Sequence, residues 1–87
     1  MLSSSQIRAA RALLGWSGTD LAEKSGVGIT TLRRYELQKG IPSANTNVLL
    51  ALKYTLEQAG IKFTGDPLVN PGVTLNIKGR GYHYGRS

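Results

Sequence analysis

The sequence contains no cysteine and a single histidine, and no apolar run approaches the roughly 18–20 residues that a bilayer-spanning helix requires. The absence of cysteine excludes a disulfide framework, a thiol nucleophile and a cysteine-based zinc site. His83 alone cannot build a metal cluster, and no phosphate-binding glycine loop followed by lysine is present. We therefore expect no enzyme, no cofactor and no membrane association. The first residues lack the features of a secretion signal, which predicts an intracellular protein.

Acidic residues are also scarce. Lys and Arg number 11 against 5 Asp and Glu, so the formal net charge is +6. Residues 1–60 read as helix and residues 61–87 are rich in glycine, proline and β-formers, and each part carries a net charge of +3. A chain of 87 residues has room for one hydrophobic core. Its basic balance favours a polyanionic partner over an enzymatic role.

Apolar residues spaced by three and four predict four helices. Their expected ranges are residues 6–14, 18–24, 29–37 and 44–59. Ser5 is expected to cap the first helix, and Gly15 to end it. Ser17 and Asp20 come close to a capping box at the start of the second helix. Gly26 allows the positive φ of a tight turn between the second and third helices.

Two alternating segments, residues 61–64 and 73–77, predict a β-hairpin with a long loop. An isolated hairpin is marginal in water, so it must pack on the helices or pair with another chain. We therefore divide the chain into a helical part, residues 1–60, a hairpin extension, residues 61–78, and a flexible basic tail, residues 79–87. The candidate dimer residues, on the fourth helix and the second strand, are Leu50, Tyr54, Val73 and Leu75.

Residues 17–40 carry the functional signal. Two short helices joined by a turn at Gly26 are typical of a helix-turn-helix, whose second helix enters the major groove of DNA. The outward residues of that helix should then be polar or basic, as Thr30, Arg33 and Arg34 are. At the start of the preceding helix, Ser17 and Thr19 would meet phosphates through their hydroxyls and free backbone N–H groups.

Three segments extend this pattern: IRAARALLGWS at residues 7–17, LAEKSGV at 21–27 and TLRRYE at 31–36. With Pro42 and GIKF at residues 60–63, they resemble the lambda-repressor-like helix-turn-helix regulators, the XRE or Cro/C1-type family. The resemblance covers roughly residues 6–63. It implies a mainly α fold, a bundle of four or five helices that binds operator DNA as a two-fold dimer. It also implies an ion pair between Arg11 and Glu36, and a cytoplasmic, nucleoid-associated protein of prokaryotic or phage origin.

The sequence departs from this family at the expected DNA contacts. Gly18 stands where many members carry a glutamine, and Gly28 and Ile29 replace polar residues at the start of the recognition helix. Glycine still offers its N–H to a phosphate, and Ile29 can touch a thymine methyl. The expected base readers are Ile29, Thr30, Arg33 and Arg34, with Arg34 ranked ahead of Arg33. The expected contacts to the DNA backbone are Arg8, Ser17, Gly18, Thr19, Gly28, Lys39 and Ser43.

Two functions follow from these patterns. The first is a sequence-specific regulator, a repressor that binds a palindromic operator in double-stranded DNA as a homodimer through the major groove. The second is an antitoxin-like or adaptor module that binds a protein partner through the hairpin or tail and whose DNA binding is autoregulatory. Deleting residues 79–87 discriminates between them, because only the second function places the protein partner there.

Overall fold

Four helices are followed by a two-stranded hairpin in the computed structural model, which describes residues 2–39 and 46–76. The elements are α1 (Ser4–Leu14), α2 (Gly18–Ser25), α3 (Ile29–Leu37), α4 (Thr46–Gln58), β1 (Ile61–Thr64) and β2 (Gly72–Leu75). The predicted mainly helical fold with a short hairpin is confirmed. Residues 44 and 45 of the predicted fourth helix, residue 77 of the predicted second strand and the tail, residues 79–87, lie outside the described residues.

The first helix begins earlier than predicted, and Ser5 as its cap is wrong. Ser3 has extended backbone angles and its hydroxyl accepts the N–H of Gln6, while the Gln6 side chain accepts the N–H of Ser3 at 3.0 Å. This reciprocal capping box satisfies two N–H groups that a helix start would otherwise leave free. Leu2, just before the cap, is 2% exposed and anchors this end of α1 in the core.

The start of α2 and the turn after it form as predicted. The Ser17 hydroxyl accepts the N–H of Asp20 at 3.0 Å, and the Asp20 carboxylate accepts the N–H of Ser17 at 2.9 Å. Gly26 ends α2 at a φ of +78°, a conformation that other residues rarely adopt. Val27 then enters the core, and α3 begins two residues later. The chain thus reverses from α2 into α3 with little intervening loop.

The hairpin is antiparallel, with Ile61 opposite Leu75 and Thr64 opposite Gly72. It packs on the helices, β2 along α1 and β1 against α4. The second strand begins one residue earlier than predicted, and its predicted extension through Asn76 is wrong. The Asn76 N–H does donate to the Gly60 carbonyl at 2.8 Å, but the N–H of Gly60 donates to the end of α4, so the pair is incomplete.

Apolar residues from every helix and from β1 meet in one core. Its fully enclosed side chains include Ile7, Leu21, Leu32, Leu52 and Leu56. Leu13 of α1 lies outside this core, since it is 46% exposed. It lies about 120° around α1 from Ile7 at 3.6 residues per turn, beyond the edge of the buried face.

Candidate nucleic-acid interface

The recognition helix α3 has one buried face and one exposed face. Leu32, Tyr35 and Glu36 are buried, since they lie at the spacings of three and four that keep side chains on one side of a helix. The exposed residues of α3 are Thr30, Arg33, Arg34 and Leu37. Three of the four predicted base readers are therefore free to approach a groove. Leu37, at the C-terminal end of the helix, is 85% exposed and was not predicted as a contact residue from the sequence.

Side chains of α1 hold the C-terminal end of α3. Arg11 forms a two-pronged ion pair with Glu36, from Nε to Oε2 at 2.8 Å and from Nη2 to Oε1 at 2.9 Å. Arg8 donates to the backbone carbonyl of Glu36, and the Ser4 hydroxyl donates to that of Gln38. These donors satisfy carbonyls that a helix end leaves free, which explains why α3 ends in extended backbone without a glycine cap.

The ion pair that the resemblance implies is thus present, and it links two helices. Glu36 keeps only 10% of its side chain exposed and Arg11 22%. Arg11 also donates to the carbonyl of Trp16 at 3.2 Å, just after α1. The pair therefore ties the end of α1 to the end of α3. Since planar two-pronged pairs fix orientation as well as distance, the exposed face of α3 is held at a set angle to α1.

Arg8 and Lys39 were expected to contact phosphates, and both are exposed. One Arg8 nitrogen is engaged by Glu36, which places its guanidinium beside Arg33 in a shallow depression at the end of α3. The guanidinium of Arg34 lies near the ring of Tyr35, with its carbon 5.9 Å from the ring centre. Within residues 2–39 and 46–76 the ion pair of Arg11 is the only one, so the charges of these exposed cations are not neutralised by a carboxylate.

The N-terminal ends of α2 and α3 lie side by side. Ser17 and Thr19 are exposed at the start of α2. Gly28 caps α3 without a side-chain hydrogen bond, which leaves the first backbone N–H groups of α3 uncapped by the protein. A Cβ added to Gly18 would lie 3.5 Å from Cδ1 of Ile29, so the two helix starts are in close contact. Ile29 is half-buried and packs against the core, which reduces the surface it can offer to a base.

Asp20 carries negative charge at the start of α2. Its carboxylate is held by the backbone N–H and the hydroxyl group of Ser17, and these hydrogen bonds, with the nearby charge of Lys24, keep the pKa of Asp20 below its ordinary value of 3.8. Lys24 also lies over the Trp16 ring, with Nζ 5.1 Å from the ring centre. Trp16 packs against the core.

The predicted dimer residues fall into two classes. Leu50 and Tyr54 on α4 are 55% and 64% exposed. Val73 and Leu75 on β2 are half-buried and pack against the core. Two further apolar residues, which the sequence reading missed, are open to solvent in the hairpin loop: Leu68 at 65% and Val69 at 81%. Their position between Pro67 and Asn70 gave no periodic signal. Ser43, the last expected phosphate contact, lies outside the described residues.

Comparison with known proteins agrees with this geometry. A sequence model described as Helix-turn-helix, of the Cro/C1 type, matches residues 7–56, more than half of the 87-residue chain. That span runs from α1 through most of α4. No curated protein matches the chain. Among the described helices, none is long and apolar enough to cross a membrane. The chain belongs to the Cro/C1-type helix-turn-helix family, the XRE family of DNA-binding transcriptional regulators.

Proposed function

We propose that this DNA-binding regulator is a repressor that recognises a palindromic operator in double-stranded DNA as a homodimer, in the cytoplasm with the nucleoid. The observation that carries the proposal is the exposed face of α3, with Thr30, Arg33 and Arg34 directed outward and Glu36 fixed by α1. A rigidly held helix with an outward polar face suits major-groove entry. It lowers the conformational entropy that binding must overcome.

Arg34 is the foremost base reader in this proposal. An arginine side chain can donate hydrogen bonds to O6 and N7 of the same guanine, which predicts at least one G·C pair in each half-site. Arg33 lies towards Arg8 and the end of α3, nearer to where a phosphate strand would pass. Thr30, near the N-terminal end of the helix, contacts a second base. Ile29 contributes less, since most of its surface is already in contact with protein.

Contacts with the DNA backbone come from both sides of the recognition helix. At one side, Ser17, Thr19 and the N–H groups of Gly18 and Gly28 offer hydrogen-bond donors to phosphates. At the other, the exposed cations offer charge. The proposed cationic contacts are Arg8 and Lys39, and the hydroxyl of Ser43 is a further donor. Because phosphate contacts release counterions, affinity should fall with salt at a log–log slope of about −0.9 per neutralised phosphate.

Selection from a randomised duplex pool at near-physiological salt tests this proposal. We expect enrichment of a palindrome whose half-sites are separated by about one helical turn. Enrichment of an asymmetric single site would refute the homodimer but retain sequence-specific binding. No enrichment would refute sequence-specific recognition and favour the antitoxin-like or adaptor function, with the hairpin or tail bound to a protein partner.

A further inference from the structure

The outward side of α4 exposes two large apolar side chains. Leu50 and Tyr54 are 55% and 64% exposed, one helical turn apart. Lys53 and Glu57 fall on the same side, because positions separated by three, four and seven residues share one helix face. This face thus combines two large apolar side chains with one positive and one negative charge.

The hairpin loop presents two more apolar side chains on a well-fixed backbone. The Asp66 carboxylate accepts the N–H groups of Leu68 and Val69 at 2.8 and 3.1 Å. The N–H of Asp66 donates to the Asn70 side chain at 2.7 Å, and its carbonyl accepts the N–H of Asn70 at 3.0 Å. Such a loop holds Leu68 and Val69 in the solvent and lowers the entropic cost of ordering the backbone at binding.

The two apolar patches flank a single groove. Its walls include Lys53 and Glu57 of α4, Phe63 of β1, and Pro67 just before the exposed pair of the loop. The α4–loop surface, as we define it, therefore comprises Leu50, Lys53, Tyr54, Glu57, Leu68 and Val69. Exposed apolar side chains on either side of a groove that carries a few charges are typical of a protein-binding site.

The charges on this surface favour a second copy of the same chain as the partner. Lys53 precedes Glu57 by four residues, the less favourable order for a pair within one helix, and in the described part of the chain neither residue forms an ion pair. A two-fold axis near residue 55 would bring Lys53 of each copy opposite Glu57 of the other. The surface is thus self-complementary, which a two-fold interface requires.

We propose that the α4–loop surface binds a second copy of this chain, with the Leu68–Val69 pair of each copy entering the groove of the other. The proposal rests on the proposed homodimer and assigns its surface. It disfavours the edge of β2 as the dimer contact, because Val73 and Leu75 already pack against the core of their own chain. Their side chains therefore have less apolar area to contribute.

Charge reversal in the full-length chain tests this assignment, with dimer dissociation constants measured by sedimentation equilibrium. We expect Lys53→Glu and Glu57→Lys each to weaken the dimer by about tenfold, because like charges then face each other across the axis. An equimolar mixture of the two variants should restore wild-type affinity as a heterodimer, since both opposite-charge contacts return. Lys39→Glu, a matched reversal at the end of α3, should leave the dimer unchanged.

Val69→Asp tests the apolar contacts proposed for the α4–loop surface. Because Val69 is 81% exposed, the variant should keep the wild-type circular dichroism spectrum yet dimerise at least about tenfold more weakly. Unchanged dimer affinity in Val69→Asp would overturn the assignment. So would a mixture of the two charge-reversal variants that does not regain wild-type dimer affinity, or a wild-type protein that is monomeric. Operator selection distinguishes failure of this surface assignment from failure of the proposed function. If the wild-type protein selects a palindrome but the variants leave dimer affinity unchanged, the proposed function stands and only this surface is rejected.

Discussion

The helix-turn-helix and the α4–loop surface differ in what they expose. Around α3 the exposed side chains are mostly cationic, and no carboxylate within the described residues neutralises Arg33, Arg34 or Lys39. On the α4–loop surface four large apolar side chains accompany one positive and one negative charge. The two regions share one core but suit different partners, a polyanion at one and an apolar protein surface at the other. The proposed DNA contacts and the proposed dimer contacts thus lie on separate surfaces of the molecule.

The two regions are also fixed in different ways. The α3 helix is oriented by side chains of α1, through the ion pair of Arg11 with Glu36 and the bond from Arg8. The hairpin loop is fixed by hydrogen bonds of its own residues Asp66 and Asn70. Substitutions in α1 should therefore disturb the orientation of the recognition helix. Substitutions in the hairpin loop should change the structure of the loop alone.

The largest effect should come from Arg11→Ala. Removing the arginine leaves the carboxylate of Glu36, which keeps 10% of its surface exposed, without its charge partner. We expect a loss of about 3–5 kcal/mol in the free energy of unfolding, measured by urea denaturation. The double variant Arg11→Met with Glu36→Leu should regain most of that loss, because no buried charge remains. A loss below about 1 kcal/mol in the single variant would show that solvent already screens the pair.

Two glycine substitutions compare the turn of the helix-turn-helix with the hairpin loop. Gly26 and Gly65 both have positive φ, of 78° and 73°, so alanine should cost each about 1–2 kcal/mol in unfolding free energy. A Cβ at Gly26 meets nothing within 4 Å, but at Gly65 it would lie 2.0 Å from the carbonyl oxygen of Asn70. The Gly65 variant should therefore lose about 1–3 kcal/mol more.

Urea denaturation of both alanine variants measures this difference. Circular dichroism of the folded variants should show wild-type helix content in both, since the collision at Gly65 lies in the hairpin loop. Equal losses in the two variants would mean that the loop relaxes freely around the added methyl group. The hydrogen bonds of Asp66 would then not fix the loop.

Sequence patterns predicted the helices well because their signals are local. The Ser17–Asp20 capping box, the turn at Gly26 and the bounds of α3 are all encoded within a few neighbouring residues. The start of α1 was misplaced because three serines precede Gln6, and only the partner at the third helical position distinguishes Ser3 from Ser5 as the cap.

The exposed surfaces were harder to predict. Outward residues of α3 follow from helical spacing, but the bond from Arg8 to the Glu36 carbonyl depends on how α1 crosses α3. The exposure of Leu68 and Val69 depends on the loop hydrogen bonds of Asp66, which no periodicity reveals. Likewise, residue spacing gave no reason to prefer one pair of dimer candidates over the other. In the structure Leu50 and Tyr54 are exposed, whereas Val73 and Leu75 are half-buried.

Arg34→Ala should separate the two regions functionally. We expect a loss of about 1–3 kcal/mol in operator binding and a relaxed choice at one base pair, with dimer affinity unchanged. Arg33→Ala serves as the neighbouring control, for which we expect a smaller loss of sequence preference. Fluorescence anisotropy on the selected operator and on a random duplex measures both quantities. An equal loss of affinity for the two duplexes would assign Arg34 to a phosphate contact.

The smallest effect concerns Asp20, in the helix-turn-helix. Because the pKa of Asp20 in the folded chain lies below 3.8, the ionised carboxylate stabilises the fold at pH values above 3.8, and this contribution is lost as the pH falls through the lower, folded-state pKa. Asp20→Asn keeps the shape and an oxygen for the N–H of Ser17 but cannot titrate. We therefore expect the variant to be less stable than wild type near pH 6, and the difference in urea midpoint to shrink below about pH 4. A difference that stays constant across this range would assign the effect of the variant to hydrogen-bond geometry, with no contribution from the charge at the start of α2.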